Sequence, residues 1–259
     1  MQRLTMAAAI FGLPLALTAG APQSPSAESV VAKLLDGDPW GMGGAELNAR
    51  VTLKDKAGLT QTLAFTARSR KHDAPFAKSL VRFTAPADLA GAGFLQIQNR
   101  NGDDDRYLFL PEIKRARRIS GNLRANSFMG TDFSFADMDR RDLREGKATL
   151  KADEDIGKFP CFRLDVVPQR SDSPYSHFEA WVRKDNYVTL KMELYDRANV
   201  RLKTFNTLEV RRVEGHWYVT KSQMVDNVHL HSTQLVIESI APRADIADEE
   251  FTVRQLEKL

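Results

Sequence analysis

Residues 187–196 read Tyr-Val-Thr-Leu-Lys-Met-Glu-Leu-Tyr-Asp, and their alternation decides the fold class. Val188, Leu190, Met192 and Leu194 fall on one side of an extended chain; Tyr187, Thr189, Lys191, Glu193 and Tyr195 fall on the other. Successive side chains of a strand point to opposite faces, so one face here is apolar and the other wet, as in an antiparallel sheet covered on one side. The run 177–183 just before it is joined to it by Lys184-Asp185-Asn186, a hairpin turn sequence.

The same period of two extends in both directions. Leu47, Ala49, Val51 and Leu53 alternate with Glu46, Asn48, Arg50, Thr52 and Lys54, and Leu63, Phe65 and Ala67 follow a turn at Lys56-Ala57-Gly58. Strands also read at 79–83, 94–99, 106–110, 161–167, 200–210, 217–224 and 227–239. About eleven strands with few helices predict a mainly β fold: one large, strongly curved antiparallel sheet rather than βαβ units. Such a sheet must curl, and its concave apolar face must be filled. Two helical segments are expected to cover it. One is capped by Ser26, buries Val30, Val31, Leu34 and Leu35, and runs through Asp36 with Gly37 as its stop; the other lies near 135–145. No repeat or composition break divides residues 22–259, so a single domain is expected.

Thirty-seven basic against thirty-four acidic residues argue against a nucleic-acid binder. The single cysteine, Cys161, excludes an intrachain disulfide and a cysteine-built metal cage, and fits a buried, inert thiol. Residues 1–21 combine Arg3, an apolar stretch from Met6 to Leu17 and an Ala19-Gly20-Ala21 site, the pattern of a cleavable secretory signal peptide. No cysteine follows it, so no N-terminal lipid anchor is expected, and the mature chain is expected to be exported and soluble.

The middle of the chain is the most distinctive part. LPEIKRARRIS (110–120) reads as a strand end, a turn and a basic strand; after a Gly/Asn turn comes SFMGTDFSFADM (127–138). Phe128, Met129, Phe133, Phe135 and Met138 crowd into eleven positions, more apolar than a solvated loop should be. Either this loop packs into the mouth of the sheet or it contacts an apolar ligand. These two runs, with Gly93-Phe94-Leu95 before them and Asp248-Glu249-Glu250-Phe251-Thr252 near the end, resemble the outer-membrane lipoprotein-sorting protein family, a branch of the LolA/LolB-like superfamily. The resemblance implies a half-open β-barrel lined with apolar side chains and lidded by helices. It also implies a periplasmic carrier of lipid or lipoprotein acyl chains between membranes, a monomer without cofactor, exchanging cargo with an inner-membrane transporter and an outer-membrane acceptor.

A carrier in water must hide about 0.8 kcal/mol of hydrophobic free energy per methylene of its cargo. A curved sheet offers an apolar face without unsatisfied backbone groups, and thioethers such as Met129, Met138 and Met192 adapt to a mobile chain. On this reading Phe128, Met129, Phe133, Phe135 and Met138 form the gate and Val188, Leu190, Met192 and Leu194 the wall; the alternative is a sealed core. Lys114, Arg115, Arg117, Arg118 and Arg124, five cations in eleven positions, form a patch for anionic headgroups or an acidic partner, or a solvated face.

Other constellations read as structure. Asn101-Gly102-Asp103-Asp104-Asp105 lacks the spaced ligands of a calcium loop and reads as a charged turn. His229 and His231 lack a third ligand at metal spacing, and Asp132 and Asp137 read as turn and helix-cap residues. No nucleophile elbow, zinc-protease motif, phosphate loop or dinucleotide fingerprint occurs, so no enzyme chemistry is expected. The competing function is a sensor or adaptor of the same fold that binds a membrane-protein partner without moving cargo.

Overall fold

A computed structural model describes residues 24–36, 44–73, 76–120, 123–138, 140–243 and 245–258. The leader expected at 1–21 and the helix stop at Gly37 lie outside the described residues. Ser26 caps the first helix as expected: its hydroxyl accepts the Ser29 N–H at 3.2 Å, and α1 (Ala27–Asp36) buries Val30, Val31 and Leu34 on one face.

Fourteen strands follow: β1 (Ala45–Lys54), β2 (Thr60–Asp73), β3 (Phe76–Ala85), β4 (Gly93–Ile97), β5 (Asp105–Leu110), β6 (Arg115–Arg118), β7 (Lys147–Leu150), β8 (Glu154–Ile156), β9 (Phe159–Val167), β10 (His177–Arg183), β11 (Thr189–Tyr195), β12 (Arg201–Val213), β13 (His216–Asp226) and β14 (His231–Pro242). Two short helices, α2 (Phe135–Met138) and α3 (Arg141–Glu145), interrupt them, and α4 (Val253–Leu256) ends the chain. The strand order is β6-β5-β4-β3-β2-β1-β14-β13-β12-β11-β10-β9-β7, with β8 paired to β9. Two antiparallel meanders are thus zipped together where β1 meets β14, and the sheet does not close, because β6 and β7 stand at opposite edges. The single large antiparallel sheet matches expectation; the additional strands are short, notably β7 and β8, too brief to show a period.

Alternation is cleanest where both neighbours are long. On β1, Leu47, Ala49 and Val51 are buried; on β13, Tyr218, Thr220, Ser222 and Met224. The inner face carries two apolar clusters. One joins β1–β4 and β14 to Phe128 and Phe135; the other joins β9–β13 to α1 and Phe133. Part of the outer face is also covered. The C-terminal segment lays Phe251 and Leu256 on Leu80, Leu95 and Phe109, while Cys161, Trp181 and Leu190 form a small cluster backed by Ile156 and Phe159.

Two boundaries differ from the sequence pattern. Tyr187 takes a left-handed φ of 57° beside the 184–186 turn, so β11 starts only at Thr189. Residues 227–230 are a turn braced by Asp226, so β14 starts at His231.

Candidate ligand-binding cavities

Among the described residues, two hollows lie on the inner face. The smaller, about 140 Å³, runs down the inner faces of β1–β3 between Val51, Leu63, Phe83 and Phe94 at one end and Lys71 and Gln98 at the other. The larger, about 660 Å³, lies under α1 against Phe178, Ala180, Met192, Leu194, Phe205 and Met224. An apolar cavity of about 150 Å³ suffices for a benzene-sized solute, so the larger hollow has room for acyl chain.

Both hollows open at the same end of the sheet. Antiparallel pairing places the start of β1, the end of β2, the 184–188 turn and the 214–217 turn along one rim. The lining residues found there, Lys71, Glu214, His216 and Trp217, are exposed. At this mouth the C-terminal end of α1 sits between the hollows. Arg140 donates to the Leu34 and Leu35 carbonyls and Lys71 to the Asp36 carbonyl, so two cations satisfy the end of the helix where its dipole is negative.

The opposite end is floored by the middle segment. Phe128 packs on Phe83 (6.0 Å between ring centroids) and Phe94 (5.1 Å), where β3 ends and β4 begins. The Asp132 N–H donates to the Thr233 hydroxyl (2.8 Å), which donates to the Asp132 carboxylate (2.6 Å), at the start of β14. Burial pushes the Asp132 carboxyl up despite that hydrogen bond. The segment then enters α2 through a reciprocal cap: Ser134 N–H donates to Asp137 (2.7 Å), and Asp137 N–H donates to the Ser134 hydroxyl (3.3 Å). Asp137 also accepts from the Tyr175 hydroxyl (2.5 Å) and from Lys203 (2.9 Å), which ties α2 to the sheet. Burial first, and the Asp137 charge second, hold the Tyr175 phenol well above its ordinary range.

Of the residues expected as gate, Phe128, Met129, Phe133 and Phe135 are therefore packed at the closed end, whereas Met138 lies two residues before Arg140 on the way to the mouth. Phe133 lines both hollows as the ridge between them, and Phe128 and Met138 line the smaller one. Phe135 stands behind, wedged against Phe94 and Phe128 at 5.7 Å each, with Met129 beside that cluster. Of the residues expected as wall, Val188, Met192 and Leu194 line the larger hollow. Leu190 does not: a bulge between the Trp181–Lys191 and Val182–Thr189 pairs turns it outward onto Trp181 and Cys161.

The basic run also divides. Lys114, Arg115, Arg117 and Arg118 are exposed on the β5–β6 turn and edge strand β6. Arg124 is a correction: it is 1% exposed, and its guanidinium pairs with Asp142 and Asp172 at 3.2 Å each. Asp104 likewise pairs inside with Arg106 (3.1 Å), and Asp103 with buried Arg141 (2.7 Å), so the aspartate-rich turn is a clasp for α3. His229 is exposed and pairs with Asp226 (2.9 Å). Among the described residues no group of side chains is arranged to hold a metal ion. Cys161 is buried, and burial pushes its thiol up. Sequence reasoning missed Tyr175, Phe205 and the mouth residues Lys71 and Arg140; only the fold brings these four together.

A family model described only as an uncharacterized protein matches residues 76–258. No curated protein matches the chain. Among solved structures, a Vibrio parahaemolyticus domain described as a candidate outer membrane lipoprotein-sorting protein superposes with a TM-score of 0.83 at 24% identity, covering 90% of this chain and 98% of that one. A DUF1329 family protein from Desulfovibrio piger gives 0.82 at 24% identity, covering 90% and 100%. A LolA superfamily protein from Nitrosomonas europaea gives 0.70 at 19% identity, covering 88% and 98%.

Proposed function

The chain belongs to that family of uncharacterized proteins and has the LolA-superfamily fold, and on this premise we propose that it is a periplasmic carrier of lipid or lipoprotein acyl chains. The observation that carries the reading is the larger hollow: about 660 Å³, lined mainly by apolar side chains and open at one rim. Each methylene drawn into it removes about 0.8 kcal/mol of exposed hydrophobic surface from water. Polar atoms that lack a protein partner sit where the polar end of a lipid would lie. The buried Ser69 hydroxyl faces the smaller hollow and the Asn186 amide nitrogen the larger. Both can donate to an ester or amide carbonyl. The leader sequence supports export, and cargo would pass between a membrane-bound donor and an acceptor.

Filling is a binding act and needs no bond-making group. Asp137, deep beside the hollows, spends its oxygens on capping α2 through the Ser134 N–H and on tying α2 to Tyr175 and Lys203. Native extraction followed by lipid mass spectrometry, together with uptake of a fluorescent acyl probe, tests binding; transfer between two liposome populations tests carriage. Co-purifying lipid, saturable uptake and transfer are expected. Absence of both lipid and uptake refutes the carrier, and uptake without transfer supports the sensor or adaptor instead.

A further inference from the structure

We propose that the rim of hairpin tips opposite the cavity mouth docks on an anionic phospholipid bilayer. The two meanders bring five consecutive hairpins to that rim: β5–β6, β3–β4, β1–β2, β13–β14 and β11–β12. Four of the five tips expose large aliphatic side chains. Leu59 is 73% exposed, Leu230 66%, Val228 52%, Val200 48% and Ile113 40%. Toward the mouth rim, Trp217 is 38% exposed and Leu208, level with the start of β11, 48%.

Three of these tips are built alike. Asp55-Lys56-Ala57-Gly58-Leu59 and Asp196-Arg197-Ala198-Asn199-Val200 share spacing and chemistry. Asp55 accepts from the Ala57 and Leu59 N–H groups at 2.9 Å, and Asp196 from those of Ala198 and Val200 at 2.8 Å. Gly58 and Asn199 take left-handed φ values of 86° and 61°, which each turn requires. Asp226 braces the third tip through the Val228 and His229 N–H groups. Each aspartate turns its charge inward onto backbone and fixes a tip that holds an aliphatic side chain out into water.

The charges left facing outward point to the occupant. Lys54, Lys56, Lys114, Arg115 and Arg197 are exposed on or beside the tips, with Arg201 exposed but paired to Glu193, against the exposed acids Asp88, Glu112 and Glu257. The aliphatic groups stand as separate points, about 10 Å apart between adjacent hairpins at the usual strand spacing. They form no groove for a helix or peptide. Isolated apolar points among cations suit a headgroup layer, where aliphatic tips enter the interface and cations meet lipid phosphates. A chain docked this way keeps its cavity mouth clear of the bilayer it rests on.

Purified protein should co-sediment with phosphatidylcholine vesicles containing phosphatidylglycerol, less with phosphatidylcholine alone, and less again as salt rises. Each of Leu59→Asp and Leu230→Asp should lower the partition coefficient about tenfold, and both with Val200→Asp should bring it to background. These positions are exposed, so circular dichroism and acyl-probe uptake should stay at the wild-type level. Failure of wild-type protein to bind anionic vesicles at low salt, or equal binding by the triple variant, overturns the proposal. Loss of an envelope-protein contact in the triple variant, without vesicle binding by the wild type, also overturns it and assigns the rim to a protein. Vesicle binding with no probe uptake would refute the carrier and leave this inference standing.

Discussion

Replacing Arg124 by alanine separates the sequence reading from the structural one more sharply than any other single change. The sequence groups Arg124 with a surface patch, where its loss would weaken binding and leave stability alone. The structure buries it under α2, paired with Asp142 and Asp172. Its backbone carbonyl accepts the Ala136 N–H (2.9 Å), and Asp142 also accepts from the Ser173 hydroxyl (2.6 Å). Arg124 therefore ties together the floor of the cavities, α3 and the loop between β9 and β10. Alanine leaves Asp142, 9% exposed, without its cation. Removing one member of a buried pair costs about 3–5 kcal/mol, a large share of the stability of a typical domain.

Urea unfolding followed by tryptophan fluorescence reads this directly. With a slope of about 3 kcal/mol per M, the midpoint should fall by roughly 1–1.7 M. Lysine should recover little, because it cannot reach both carboxylates as a planar fork does. Adding Asp142→Asn should return part of the loss, since the orphaned charge goes with it. Vesicle binding at a temperature where the variant is folded should not change. A single variant within about 0.5 kcal/mol of wild type, or a double variant strictly additive, would refute the buried-network argument. The acid side gives a second reading. Burial works to raise the Asp172 carboxyl, but the Arg170 hydrogen bond and the Arg124 charge hold it below its ordinary value. A depressed carboxylate contributes stability above its unfolded pKa and loses it as pH falls through the folded one, so the variant's stability should fall less steeply on acidification.

Charge reversal of both Arg117 and Arg118 should leave the unfolding midpoint nearly unchanged, because the Arg118–Asp105 pair is exposed and worth at most about 1 kcal/mol, while binding to anionic vesicles weakens in a salt-dependent way. Met192→Ala should alter acyl-probe affinity, whereas Leu190→Ala should lower stability by about 2–3 kcal/mol without touching affinity; equal effects on affinity would place Leu190 inside after all. Gly146→Ala should destabilise by 2 kcal/mol or more on a rough scale, since a Cβ there meets the Asp142 carbonyl and the Val166 side chain; a neutral result in thermal unfolding would mean that α3 can shift. The Tyr195 phenol, pushed up to about 12 by burial and by its hydrogen bond to Glu193, should titrate earlier in Glu193→Gln. Its contribution to stability is whole below the ordinary tyrosine pKa and disappears as pH rises toward 12, which ultraviolet titration and alkaline unfolding can follow together.

Much of the sheet is legible because a covered face imposes a period of two, and the period survives wherever strands are long and regularly paired. It fails at particular residues for particular reasons. Leu190 obeys the alternation in sequence yet points outward, because a bulge opposite Trp181 and Val182 adds one residue, and one extra residue exchanges faces. Arg124 follows the basic run by only a few residues, yet the chain turns inward between them, and the acids that neutralise it come from positions 142 and 172. The crowded aromatics of 127–138 were readable as interior, but whether that interior is mouth or floor depends on which strand ends they meet. Phe128 meets Phe83 and Phe94, and Asp132 meets Thr233, all at the closed end.

The same dependence on topology explains why the two rims of the cup differ in chemistry. In a double meander joined through β1 and β14, alternate turns fall on opposite ends, and each end can be built for its own purpose. At the mouth the turns carry Lys184-Asp185-Asn186 and Glu214-Gly215, and cations from β2 and the start of α3 hold the end of α1 between the hollows. At the other end the repeated Asp-basic-Ala-Gly/Asn-aliphatic pentapeptides look like ordinary turns when taken one at a time. Their kinship has meaning only when pairing brings β2, β1, β14, β13, β12 and β11 into one row and aligns their tips. If the mouth handles cargo and the far rim handles location, substitutions at the two ends should be separable: changes at Lys71 or Met192 act on uptake alone, and changes at Leu59 or Leu230 on placement alone. Cross-talk between the ends would mean that docking opens the cup, and the route for that coupling would be the floor segment that touches both.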